Sequence, residues 1–179
     1  IYQKYGVEPD MIMYGKTIGN GYALTAVVGK REIMEVAQNT FISSTFWTER
    51  IGPTAALATL KVMEEVKSWE IITAIGNTMR QGWQQLADEH KLKITISGIP
   101  SLSTYSFNSD KALEYKTFIA QEMLAKGYLA STNFYASTAH NEENLKVYLE
   151  ALNDVYSIIS DCENGIKNID ELLKGPVCH

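Results

Sequence analysis

Residues 9–29 read Pro9-Asp-Met-Ile-Met-Tyr-Gly15-Lys16-Thr-Ile-Gly19-Asn-Gly21-Tyr-Ala-Leu-Thr-Ala-Val-Val-Gly29, in which a glycine-rich segment separates two short apolar runs. The run at 10–14 and the run at 24–28 are each bounded by proline or glycine, which is typical of buried strands in a parallel sheet. Lys16 follows the first run almost directly. Because α/β sheets place ligands at strand ends, this position favours a functional role for the lysine.

Three interpretations of Lys16 compete. A phosphate-binding P-loop requires a glycine five positions before Gly15, but that residue is Asp10, so this interpretation fails on spacing. A solvated surface lysine is the ordinary alternative. A Schiff-base lysine is the third, since an unprotonated amine in a partly desolvated pocket attacks an aldehyde and flanking glycines let a cofactor approach closely. The residues alone permit both of the last two.

The spacing of the whole segment adds a resemblance. Pro9-Asp10, four residues, Gly15-Lys16, two residues, Gly19-Asn-Gly21 and then Ala26-Val27 and Gly29 together resemble the cofactor-lysine segment of class III aminotransferases. This fold-type-I group includes glutamate-1-semialdehyde 2,1-aminomutase. The resemblance implies that Lys16 is the catalytic residue that binds pyridoxal 5′-phosphate as a Schiff base. Ala23 stands where the family often has proline, a departure that does not touch the lysine.

A second segment, Ser43-Ser-Thr45-Phe-Trp47-Thr48-Glu49, resembles the loop in which the family has a phosphate-binding threonine. The resemblance implies that Thr45 binds the phosphate of a cofactor held mainly by the neighbouring subunit, and therefore that the protein is a homodimer. A polar loop residue satisfied by local backbone is the alternative. Trp47 and Thr48 depart from the small residues common in the family, which leaves nearby substrate contacts open.

The rest of the chain predicts alternating helices and strands. Pro53 suits the first turn of a helix that continues to Val66 and is apolar enough at its start to be buried. From residue 69 onward the periodicity predicts an amphipathic helix to Leu86, strands at 92–96 and 102–107 joined as a hairpin, a helix at 111–126, a strand at 128–131, and a helix capped by Asn141 that stops at Asn164-Gly165.

These elements, with the resemblance, predict an α/β fold. We expect the C-terminal part of a fold-type-I pyridoxal-phosphate-dependent transferase, in which the end of the large parallel-sheet domain, with the interdomain helix, occupies residues 1–68. A small α+β domain would follow at residues 69–179. The chain reads as a fragment, because the family's other cofactor contacts correspond to segments upstream of residue 1. The isolated chain is therefore expected to be inactive.

Composition excludes several other classes. The 179 residues are 45% hydrophobic and 21% charged with a net charge of −5, without a basic patch, so nucleic acid is a poor partner. No apolar stretch is long enough for a membrane span, and a cytoplasmic location is the default. Cys162 and Cys178 are expected to be reduced thiols and not metal ligands. His140 is expected to make local hydrogen bonds and not to be catalytic.

The function that the resemblance implies is class III aminotransfer through Lys16, between a small-molecule amino donor and a carbonyl acceptor. In such chemistry the lysine amine also serves as general base and acid. Intramolecular amino transfer of the glutamate-1-semialdehyde aminomutase type remains an alternative. A non-catalytic assembly module that descends from the same fold is the alternative from another class.

Overall fold

The computed structural model describes residues 2–178, and the chain divides into two compact units, Ile1–Lys67 and Ser68–His179. The first unit contains strand β1 (Met11–Tyr14), strand β2 (Ala26–Gly29), a short helix α1 (Arg31–Met34) and the long helix α2 (Ile51–Val66). Single 3₁₀ turns lie at Tyr2–Tyr5, Lys16–Ile18 and Glu35–Asn39. Pro53 lies in the first turn of α2, as predicted.

The two strands of the first unit pair with each other. They run antiparallel in a register that joins Met11 to Gly29 and Tyr14 to Ala26. They were predicted to be buried strands of a parallel sheet, but Met13 is 82% exposed. The reason is that a two-stranded sheet needs another layer to cover its faces, and none of the described residues 2–67 forms one.

Helix α2 was predicted to be buried, and most of it is not. Leu57 is 71% exposed and Leu60 is 50% exposed. The buried residues of the first unit, within 2–67, are all small: Gly19, Gly52 and Ala56. The apolar surface that the sequence pattern assigns to this helix therefore exists, but the unit does not cover it by itself.

The second unit is a small α+β domain. Helix α3 (Ser68–Glu89) is followed by the hairpin of β3 (Ile94–Ile99) and β4 (Leu102–Phe107), helix α4 (Ala112–Ala125), strand β5 (Asn133–Tyr135), helix α5 (Glu142–Glu163) and the short helix α6 (Ile169–Leu172). The sheet is antiparallel in the order β3-β4-β5. The sequence predicted the hairpin and the three long helices, and it missed α6.

Aromatic side chains fill the core between the helices and this sheet. Trp83 of α3 packs on Tyr105 of β4 with ring centroids 4.6 Å apart. Phe107 lies 5.5 Å from Tyr115 and 5.7 Å from Tyr156, measured between ring centroids. Aromatic pairs at such separations add to the stabilisation from burial, so this cluster joins α3, β4, α4 and α5 into one core.

Two glycines of α3 lie where neighbouring segments come close. A Cβ atom at Gly76 would stand 1.8 Å from the carbonyl oxygen of Pro100, in the turn between β3 and β4. A Cβ atom at Gly82 would stand 2.4 Å from Cδ1 of Leu149 on α5. Helix α3 therefore packs with its backbone close to both neighbours.

The strand predicted at residues 128–131 is wrong by several positions, since β5 begins at Asn133. The amide of Tyr128 still bonds to the carbonyl of Met123 at 2.8 Å, past Gly127 with its φ of +89°, so this segment completes the end of α4. Pairing with β4 starts only afterwards. Within residues 2–178, no helix is both long and apolar enough to cross a membrane.

Candidate functional site

The lysine singled out by the sequence begins the 3₁₀ turn that follows β1. Lys16 has φ of +51°, and Asn20 in the same loop has φ of +46°. Left-handed backbone is uncommon outside glycine and costs of the order of 1 kcal/mol or more, so it persists where the surroundings impose it. Lys16 and Asn20 therefore give this short loop a sharply turned backbone directly after β1.

Hydrogen bonds and one glycine hold this loop in its conformation. The amides of Asn20 and Tyr22 donate to the carbonyls of Thr17 and Gly19 at 3.2 and 3.1 Å. A Cβ atom at position 19 would stand 2.2 Å from the carbonyl oxygen of Tyr22, so only glycine fits there without a shift. The loop is consequently a tight pair of turns that starts at Lys16.

The side chain of Lys16 is exposed and makes no hydrogen bond or ion pair with any described residue. By contrast, Nζ of Lys30, at the end of β2, lies 2.7 Å from Oδ1 of Asp10. Within residues 2–178 the amine of Lys16 therefore has no partner. The partly desolvated pocket that a Schiff-base lysine requires is not formed by residues 2–67, since they leave this side chain in contact with solvent.

The predicted threonine lies in an exposed turn before α2. The amide of Phe46 donates to Oγ of Ser44 at 3.2 Å, and the amide of Glu49 donates to the carbonyl of Phe46 at 3.0 Å. The hydroxyl of Thr45 has no hydrogen-bond partner in the described part of the chain. No backbone group of the described residues bonds this exposed hydroxyl, and the role of Thr45 stays a prediction.

Glu49 is a residue that the sequence patterns did not single out. Its carboxylate accepts hydrogen bonds from the amides of Ile51 and Gly52, the latter at 3.1 Å, at the start of α2. The first amides of a helix lack partners within the helix, and a negative charge there also stabilises the helix dipole. An acidic residue just before a helix that begins Ile-Gly-Pro was the signal that could have revealed this cap.

The start of α2 also packs against the loop that follows Lys16. A Cβ atom at Gly52 would stand 2.9 Å from the carbonyl oxygen of Ala23 and 3.3 Å from Cβ of Leu24. The loop after Lys16 and the turn that contains Thr45 thus both adjoin the start of α2 within the first unit. Lys16 and Thr45 share no hydrogen bond in the structure of residues 2–178.

His140 is held by its own neighbours. Its Nδ1 accepts a hydrogen bond from the amide of Ser137 at 3.0 Å, and its ring lies 4.9 Å from that of Phe134. This is the local role predicted for it. Over the described range 2–178, no group of three or more His, Cys, Asp or Glu side chains is arranged to hold a metal ion.

Comparisons with known proteins agree with the sequence pattern. The sequence model of the family described as aminotransferase class-III matches residues 1–162. A 3-aminobutyryl-CoA aminotransferase of Cloacimonas acidaminovorans is 29% identical over 156 residues, which cover 84% of this chain and 38% of the relative. A glutamate-1-semialdehyde 2,1-aminomutase of Methanococcoides burtonii is 31% identical over 167 residues, covering 82% and 39%.

Solved structures show the same fold. The FumI protein of Sphingopyxis sp. MTA144, in its PLP internal aldimine form, superposes with a TM-score of 0.83 at 24% identity, covering 96% of this chain and 42% of that one. An S-selective transaminase from Arthrobacter sp. gives 0.78 at 23% identity, covering 90% and 41%. The likeness confirms the predicted fold class. The chain spans about two fifths of the length of these relatives.

Proposed function

The chain belongs to the class III aminotransferase family, and on that premise we propose that it is part of a pyridoxal-phosphate-dependent enzyme that transfers amino groups. The observation that carries the proposal is the amine of Lys16, which has no partner among residues 2–178 and lies at a strand end, on a loop with left-handed backbone at Lys16 itself. An aldehyde cofactor requires an amine that no internal carboxylate occupies, and Lys16 meets that requirement.

Pyridoxal 5′-phosphate fits the two candidate residues by their chemistry. Its aldehyde matches the amine of Lys16. The phosphate of the cofactor held by the other subunit matches the hydroxyl of Thr45, which has no partner within residues 2–178. When bound, the cofactor supplies an electron sink that labilises bonds at the carbon bearing the amino group. Lys16 would anchor it and, once released by the incoming amine, would take a proton from that carbon and return it elsewhere.

The assembly follows from the role given to Thr45. Its hydroxyl would donate to the phosphate of a cofactor held mainly by the other subunit, so the protein would act as a homodimer. Residues 1–68 would then be the end of the large cofactor-binding domain and residues 69–179 the small domain. The substrates would be a small amine donor and a carbonyl acceptor, and the location would be the cytoplasm.

Intramolecular amino transfer is the second candidate, because glutamate-1-semialdehyde 2,1-aminomutases are among the relatives. The two functions differ in stoichiometry. An aminotransferase releases a carbonyl product and needs a second substrate, a carbonyl compound that accepts the amino group. An aminomutase returns the amino group to a neighbouring carbon of the same molecule. Product analysis with one substrate and no acceptor separates them.

The direct test of Lys16 is borohydride reduction of the complete protein in the presence of pyridoxal 5′-phosphate. The phosphopyridoxyl group is expected on the peptide that contains Lys16, and the variant Lys16→Ala should lose both the adduct and turnover. Lys30→Ala is the matched control, since Nζ of Lys30 is paired with Asp10. A Lys16→Ala variant with normal activity would end the proposal, as would a complete protein in which no lysine is labelled.

The role of Thr45 is tested by Thr45→Val, which removes the hydroxyl and keeps the shape. One charge-assisted hydrogen bond contributes about 1.5 to 3 kcal/mol, so retention of the cofactor should weaken by roughly 10- to 150-fold. Thr48→Val, in the same turn, should leave it unchanged. A protein that holds its cofactor fully as a monomer, or an unchanged affinity in Thr45→Val, would count against this assignment.

A further inference from the structure

We propose that Glu49 is a positioning residue that presents the hydroxyl of Thr45 to the cofactor phosphate, by fastening the loop at 44–48 to the start of α2. This inference rests on the proposed function, because it takes the phosphate as the partner of Thr45. It gives a role to Glu49, to which neither the composition nor the family resemblance assigned one. Its basis is a continuous set of hydrogen bonds around Thr45.

The anchor of this set is the carboxylate of Glu49, which is half-buried. Each of its two oxygens accepts from a different backbone amide in the first turn of α2, those of Ile51 and Gly52. A carboxylate bound at both oxygens has little rotational freedom, so position 49 is fixed with respect to the helix axis. Gly52 packs in turn against the loop that follows Lys16.

From Glu49 the bonds continue back to either side of Thr45. The amide of Glu49 donates to the carbonyl of Phe46 at 3.0 Å and closes the turn. The amide of Phe46 donates to Oγ of Ser44 at 3.2 Å and fixes the residue on the other side. Thr45 is thus held by both neighbours, while its own hydroxyl is left without a partner in residues 2–178. A donor fixed in this way loses little entropy when it binds an anion.

The same contacts determine how the anion can be held. A helix start with free amides is a ready anion site, but here the amides of Ile51 and Gly52 already bind Glu49. The charge of Glu49 would also repel a phosphate. Glu49 therefore cannot assist phosphate binding by attraction, and its contribution comes from the position it gives to Thr45.

The test compares two cofactors in the complete enzyme. Dissociation constants for pyridoxal 5′-phosphate and for pyridoxal, which lacks the phosphate, are measured by absorbance in the wild type, Glu49→Ala and Glu49→Gln. Loss of the cap in Glu49→Ala should weaken binding of the phosphorylated cofactor by about 3- to 10-fold and leave pyridoxal unchanged. Glu49→Gln keeps one acceptor oxygen and loses the repulsion, so it should restore most of the affinity.

A double-mutant cycle with Thr45→Val gives the second readout. If Glu49 acts through Thr45, Glu49→Ala should cause no further loss of phosphate-dependent affinity once the hydroxyl is gone. Should Glu49→Ala fail to fold, Ser44→Ala removes the bond on the other side of Thr45 and should show the same loss specific to the phosphorylated cofactor.

The outcomes separate the two proposals. If Thr45→Val alone leaves the affinity unchanged, the assignment of Thr45 to the phosphate fails and the inference falls with it. If Thr45→Val weakens binding while Glu49→Ala weakens both cofactors equally, or adds fully to Thr45→Val, Glu49 has only a structural role. In that case the inference is overturned and the proposed function stands.

Discussion

Trp47 and Trp83 occupy opposite situations in the two units of the chain. Trp47 lies in the turn before α2 and is 72% exposed, whereas Trp83 of α3 is 0% exposed and packs on Tyr105. The same contrast holds for the units as a whole, since within residues 2–67 no buried residue is larger than alanine. The second unit closes a core of large apolar side chains, and the first unit does not.

The difference shows that a segment can form regular secondary structure without forming a closed hydrophobic core. The first unit has its strands in register and a helix of 16 residues, yet Met13, Leu57 and Phe41 remain largely exposed. Burial of apolar surface is the main favourable term in folding, so elements that lack it are held mostly by local hydrogen bonds. We therefore expect the first unit to be the less stable of the two.

Hydrogen exchange is the strongest test of this expected difference in stability. In the 179-residue chain at low concentration, the amides of β1 (Met11–Tyr14) should exchange at least about 1,000-fold faster than those at 145–159 of α5, which open only with the core. A rise in protection of β1 with concentration would show that another copy of the chain covers it. Equal protection of β1 and α5 in a monomer would contradict the comparison.

Substitution of the two tryptophans tests the difference in packing between the two units. Trp83→Ala leaves a large cavity among Met79, Tyr105 and Phe134, and should lower the free energy of unfolding of the second unit by about 3 to 5 kcal/mol. Trp47→Ala is the matched control, and should change it by less than about 0.5 kcal/mol. Urea denaturation followed by circular dichroism measures both. If both variants lowered the free energy of unfolding by a similar amount, Trp47 would be packed against other residues, contrary to its exposure in the structure.

Alkaline pH gives a smaller effect that is confined to the second unit. Burial raises the pKa of Tyr148 to about 12, and it raises the pKa values of Tyr105, Tyr115 and Tyr156 as well. The unfolded chain releases these protons above about pH 10 while the folded unit keeps them, so the stability they confer is complete below that pH and is lost as the pH rises towards 12.

For Tyr148 this rise in pKa corresponds to about 2 to 3 kcal/mol of stability. The free energy of unfolding should therefore be lower near pH 11 than at neutral pH, and the tyrosinate absorbance of the buried hydroxyls should appear only with unfolding. Tyr148→Phe should make the fall shallower. A stability that stays constant up to pH of about 12 would show that these hydroxyls ionise freely in the folded unit.

The sequence also predicts the structure of the second unit better than that of the first. Helices α3 and α5 were predicted well because their apolar stripes face a core made by the same unit, and Asn141 caps α5 by accepting from the amide of Asn144 at 2.9 Å. For β1 and α2 the pattern shows which surface is apolar, but not which of those residues another segment covers.

The candidate site shows a similar limit. The position of Lys16 after a strand was readable from the apolar run and the glycines, but its left-handed φ was not, since lysine rarely adopts that backbone. Thr45 was indicated only by resemblance, and its role stays a prediction. Glu49 was missed because a carboxylate that reaches forward to helix amides leaves no periodic signal in the sequence.

Gly76 and Gly82 differ in how much sequence variation they allow, although both lie in α3 and both are close to a neighbouring segment. The obstacle at Gly76 is the backbone carbonyl of Pro100, which cannot rotate away, whereas at Gly82 it is a terminal methyl of Leu149, which can change rotamer. Random replacement followed by selection for folded protein should recover only glycine at position 76 and should admit alanine at position 82. The turn between β3 and β4 thus restricts the choice of residue at position 76 of α3, which lies 24 positions before Pro100 in the chain.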